Sequence, residues 1–117
     1  MNVLNRSAIT VYGTEKFLEW IKEQHPNLHR WTLKDLNNHP NVYLVDEEDQ
    51  NCWGDCFIEN FETIFRNEVG EYVYDEVEWP EVITVDLFRA WFTFQYSELA
   101  YDLSKDDLET DDVWQNT

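Results

Sequence analysis

Asp55-Cys-Phe-Ile-Glu59-Asn-Phe-Glu62-Thr-Ile-Phe65-Arg-Asn-Glu-Val69 is the most regular stretch of the chain. Phe57, Ile58, Phe61, Ile64 and Phe65 recur at helical spacing and form one apolar stripe, and Gly70 supplies a stop after the last turn. A helix from Asp55 to about Val69 is therefore predicted. On its far side Asp55, Glu59 and Glu62 fall at i, i+4 and i+7. Neighbours at that spacing stand roughly 5–6 Å apart, so the helix presents a ridge of carboxylates to solvent, with Asp55 well placed at its N-terminus.

Directly downstream comes Glu71-Tyr-Val-Tyr-Asp75-Glu76-Val-Glu78-Trp79-Pro80-Glu81, five further carboxylates with no Lys or Arg among them. Plain acid runs repel themselves and stay extended. This one carries Tyr72, Tyr74 and Trp79, which are apolar enough to anchor it to a fold. An edge strand or extended segment over Tyr72 to Val77 is expected, with Glu71, Val73, Asp75 and Val77 on one face and Tyr72, Tyr74, Glu76 and Glu78 on the other. Pro80 ends it. Thr84 then caps a helix through about Phe92, with Leu87, Phe88 and Trp91 inward.

Upstream lies Asp46-Glu47-Glu48-Asp49. Its acids are contiguous, whereas a calcium loop alternates its ligands around a central Gly, so an acidic, partner-facing or solvated loop is the reading. Cys52 and Cys56 flank Trp53-Gly54. A lone Cys-x3-Cys is a weak zinc signal, and two small buried hydrophobes fit better. No cofactor or metal is expected.

The first 45 residues read as scaffold. Ser7 to Tyr12 is a strand closed by Gly13; Thr14 caps a helix from Glu15 to Gln24 that Pro26 stops; Thr32-Leu-Lys-Asp35 has the capping-box layout; Val42 to Val45 is a buried strand. After the second acidic stretch, Thr93 to Tyr96 alternates as a strand, and Leu99 to Leu103 either continues it or turns. Residues 104–117 either open a last helical turn at Ser104-Lys-Asp-Asp107 or form a flexible acidic tail.

At 117 residues and 43% hydrophobic content the chain suits one domain with an ample core. The fold class is α+β: a few short strands packed with about three to four helices. No apolar run reaches the ~18 residues a membrane span needs, and Met1-Asn-Val-Leu-Asn-Arg6 lacks the apolar region of a signal peptide, so a cytoplasmic monomer is expected.

Net charge is −17, well beyond the ~2–8 that solubility needs. Residues 1–45 hold four acids and five bases, a net of +1; residues 46–117 hold 21 acids and three bases, a net of −18. Such self-repulsion destabilises a compact state, so the asymmetry calls for a purpose. The chain has no Gly-rich phosphate loop, G-x-S-x-G or H-E-x-x-H, and an enzyme acting on a polyanion would repel its own substrate. A binding protein, not an enzyme, is expected. Asp46, Glu47, Glu48, Asp49, Asp55, Glu59, Glu62, Glu71, Asp75, Glu76, Glu78 and Glu81 are the candidate partner-binding residues.

Size, charge and aromatic content over the whole chain resemble the bacterial and phage DNA-mimic proteins, in particular those directed at the histone-like protein HU. The resemblance implies a protein that occupies the DNA-binding face of a basic nucleoid protein and does not itself bind nucleic acid; it carries over no site residue. Two other readings share the electrostatics: an immunity, antitoxin or phage inhibitor protein that blocks a basic nuclease, and an acidic domain whose charge reflects its surroundings.

Overall fold

A computed structural model describes residues 1–46 and 53–111. The organising element is β2, Arg6–Gly13, whose β-branched residues form the central strand of an antiparallel sheet. β3 (Asn41–Asp46) lies on one side, with Ile9 opposite Tyr43, and β4 (Phe92–Ser97) on the other, with Ile9 opposite Tyr96. Two short strands, β1 (Asn2–Val3) and β5 (Tyr101–Asp102), pair antiparallel as a separate ribbon.

Strand alternation gives the sheet an inner face of Ile9, Val11, Phe92, Phe94, Tyr43 and Val45, against which the helices pack. These are α1 (Glu15–Gln24), α2 (Leu33–Leu36), α3 (Trp53–Gly70) and α4 (Val85–Trp91). Phe57 of α3 stacks on Phe94, Phe65 meets Phe92 edge-on, Phe17 of α1 lies 4.6 Å from Phe92, and Phe88 of α4 lies 5.3 Å from it. Phe17, Phe65, Phe88 and Phe92 are essentially inaccessible to solvent; truncating any of them to Ala costs about 3–5 kcal/mol. The chain adopts the predicted α+β class, with four α-helices among the described residues where about three to four are expected.

Several local expectations need correction. Ile58 is 57% exposed, because the stripe facing the sheet is Phe57, Ile64, Phe65 and Val69, flanked by Phe61. β3 is buried on one side only, with Val42 and Leu44 on the outer face. Thr14 precedes α1, but its hydroxyl caps nothing there: it donates to the Ala90 carbonyl at 2.6 Å while its N–H donates to the Trp91 carbonyl, so it satisfies the end of α4 instead. Of the two readings of Leu99 to Leu103, the turn is the one adopted: β4 ends at Ser97 and the separate short strand β5 follows. Ser104 opens no helix within the described residues; its Oγ accepts from the Asp106 N–H in a local turn. Residues 112–117, like Cys52, lie outside the described residues. The predicted capping box at Thr32 and Asp35 and the cap at Thr84 are both present, and Cys56 is buried among apolar neighbours.

Gly13 ends β2 in a confined place. The Asn37 side chain brackets it, accepting from the Gly13 N–H at 2.8 Å and donating to its carbonyl at 2.9 Å. A Cβ at this position would stand 2.6 Å from Leu36 Cδ2 and 2.9 Å from the buried Phe17 ring. Gly13→Ala is therefore expected to destabilise the fold by about 1–3 kcal/mol, the range for overpacking a filled core; a denaturant midpoint equal to wild type would refute this.

Candidate protein-interaction surface

The apolar stripe of α3 fixes what its other side displays. Asp55, Glu59 and Glu62 are all exposed, as the helical spacing requires, with Arg66 one turn beyond Glu62. The following segment leaves the helix in a tight turn: the Tyr72 and Val73 N–H groups both donate back to the Val69 carbonyl. It does not form the expected strand. Val73 is buried, Tyr72 meets Phe17 edge-on at 5.7 Å, and Asp75 Oδ1 accepts from the Val77 N–H, opening a short 3-10 helix over Glu76–Glu78.

Trp79 closes this loop onto the body of the protein. Its indole Nε1 donates to the Val73 carbonyl at 2.7 Å, and its ring lies so near Gly70 that a Cβ there would be 3.4 Å from it. Local capping and these inward aromatics defeat the two-residue alternation, which would put Tyr72 and Tyr74 on one face. Tyr72 is instead half-buried and Tyr74 is 95% exposed.

Between α3 and this loop runs an open groove of about 810 Å³. Glu62 and Arg66 line it from the helix; Glu76, Val77, Trp79 and Glu81 line it from the loop, together with Pro80, Val82 and Ile83. Three of the candidate carboxylates, from two separate chain segments, thus border one depression. Asp55 and Glu59 continue the ridge along α3, and Asp75 and Glu78 are exposed on the same loop. Glu71 sits apart, its Oε1 accepting from Asn41 Nδ2 at 2.7 Å. Asp46 is exposed at the end of β3, opposite Arg6. Glu47, Glu48 and Asp49 lie outside the described residues.

One acid escapes a reading by residue type. Glu68 is only 8% exposed. Its carboxylate accepts hydrogen bonds from the Tyr43 hydroxyl and, at 2.7 Å, from Asn41 Nδ2; Asn67 Nδ2 in turn donates to the Tyr43 oxygen at 2.9 Å. The signal is in the sequence: Glu68 follows Phe61, Ile64 and Phe65 at the spacing of the buried stripe. Burial pushes its pKa up, the bonds from Tyr43 and Asn41 pull it partly back, and the nearby Glu71 adds to the rise. Burial likewise raises Tyr43 and Tyr72, with the neighbouring carboxylates adding to both.

A carboxyl whose folded pKa exceeds its unfolded value binds more protons in the folded state between the two values. Its stabilising effect is complete below the ordinary carboxylate range and is lost as pH rises through the folded value. Thermal stability should accordingly decline from mildly acidic to neutral pH. Glu68→Gln, which retains an acceptor oxygen for Tyr43 and Asn41, should show a shallower decline; identical pH profiles for variant and wild type would rule Glu68 out as a source.

The chain matches no family model, no curated protein and no solved structure. Among the described residues, no group of three or more His, Cys, Asp or Glu side chains could hold a metal ion, and no helix is long and apolar enough to cross a membrane.

Proposed function

We propose that this protein is an acidic DNA mimic, which acts in the cytoplasm as a monomer and occupies the DNA-binding surface of a basic nucleoid protein of the histone-like HU type, modulating its hold on DNA. It works by binding rather than catalysis. The observation that carries this reading is the convergence of Glu62, Glu76 and Glu81 from a helix and a loop on one groove, continued by the exposed Asp55, Glu59, Asp75 and Glu78.

A rigid negative surface attracts a basic one, and the commonest large basic surfaces in a cell are those that hold nucleic acid. DNA offers one charge per ~1.7 Å of axis over both strands, whereas carboxylates one helical turn apart recur every ~5.4 Å. The mimic is sparser than its model. It gains speed from electrostatic steering and must draw the rest of its affinity from shape and apolar contact.

The test is competition. The purified protein, added to HU bound to a fluorescent DNA duplex, should release the duplex at low salt and lose that ability towards ~1 M, where the Debye length falls to roughly 3 Å. It should leave the duplex alone when HU is omitted. Failure to displace the duplex, or displacement indifferent to salt, would defeat the proposal.

A further inference from the structure

We infer that the groove between α3 and the Trp79 loop receives a segment of the partner that mixes basic and apolar side chains, so that recognition is by apolar contact within a charged frame. The inference rests on the reading of this surface as a binder of basic proteins and specifies what such a protein inserts. Val77 is 84% and Val82 69% exposed, and both line the groove. Neither contributes to the core, and the loop they sit on is anchored by Val73 and Trp79 instead. A surface that acted through charge alone would have no use for two bare valines beside a half-buried indole.

Charge complementarity selects the occupant. Three carboxylates and one guanidinium line the groove, leaving it net negative, so an apolar segment flanked by Lys or Arg fits it better than a neutral or acidic one. Lys and Arg suit such a site twice over, because their aliphatic stems lie along apolar surface while their charged ends reach the rim. Glu62, Glu76 and Glu81 are placed to meet those ends, and Val77 and Val82 to cover the stems and an adjoining apolar residue. A second copy of this chain, at −17, is a poor candidate by the same argument.

The probes are two synthetic peptides of equal length and charge, one alternating Lys with Leu and the other Lys with Gln, each titrated into the full chain by calorimetry at low salt. The Lys/Leu peptide should bind at least about tenfold more tightly, as expected when a few methylene-sized contacts leave water. Val77→Ser together with Val82→Ser should bring the two peptides to within about twofold of each other while the circular dichroism spectrum stays unchanged. Arg66→Gln, which removes the groove's cation, should tighten both peptides severalfold. Equal binding of the two peptides to wild type, a preference that survives the valine replacements, or indifference to Arg66→Gln would each overturn the inference. HU displacement is read separately. Peptide discrimination without displacement would overturn the nucleoid-protein reading alone, and displacement without discrimination would overturn the groove inference alone.

Discussion

Trp79→Ala is expected to cost about 3 kcal/mol of stability and to abolish the groove with it. The residue is half-buried, which puts the loss near the lower end of the ~3–5 kcal/mol range for truncating a large aromatic. Its effect is concentrated because the loop from Glu71 to Thr84 has no strand pairing to hold it. Beyond the turn at Val69, the indole bond to the Val73 carbonyl and the packing of the ring beside Gly70 tie it down. Without them Glu76 and Glu81 lose their fixed places opposite Glu62. Hydrogen exchange over residues 71–84 should accelerate well before global unfolding, and peptide binding should fall in parallel. Trp79→Phe keeps most of the ring but not the donor, and should lose about 1 kcal/mol, the worth of one hydrogen bond. Unchanged exchange in the alanine variant would show that the loop is held by other means.

Converting Asp75, Glu76 and Glu78 to their amides should weaken binding to a basic partner by about 3–100-fold. Exposed ion pairs contribute roughly 0.2–1 kcal/mol each, and three together span that range at about 1.4 kcal/mol per tenfold. All three are exposed, so their carboxylates do not support the core. Asp75 alone has a structural duty, and Asp75→Asn would retain the oxygen that accepts from the Val77 N–H. The fold should be as stable as wild type or slightly more so, since three like charges disappear from a chain at −17. A triple variant that competes for HU as well as wild type would remove this loop from the interface, and one that unfolds would give these carboxylates a structural role.

How much of this is legible in the sequence follows from where each signal resides. Helices announce themselves through local periodicity, so α1, α3 and α4 and two flanking residues, Thr32 and Thr84, can be read directly. The strands β2 and β4 are legible from β-branched and aromatic alternation. The pairs that unite them are not local: nothing in Asn2–Val3 or Tyr101–Asp102 says that they meet, and two-residue strands leave no pattern to find. The loop after α3 defeats a strand reading because Val73 and Trp79 turn inward at positions set by the helix end and by Asp75, not by an alternating backbone. The candidate surface is half legible. Composition locates its charge, whereas the convergence of Glu62 with Glu76 and Glu81 depends on how Trp79 folds the loop back. Glu68 is missed when every carboxylate is assigned to the surface by type, although its place on the stripe marks it as buried.

The hydrogen bond from Ser7 Oγ to the Glu98 carbonyl spans 91 positions of the chain, and it has a bearing on synthesis. The central strand β2 is made before both of its partners, and one of its two edges has no neighbour until β4 has left the ribosome. Contacts so distant along the chain are slow to form, since loop closure must precede any gain from pairing. During that interval Ile9 and Val11 belong to a half-built sheet with an open edge. The run of carboxylates from Asp46 onward emerges in the same interval, and like charges on neighbouring nascent chains keep such edges from finding one another. The acidity that would draw a partner to the finished protein would also protect it while it is still being made.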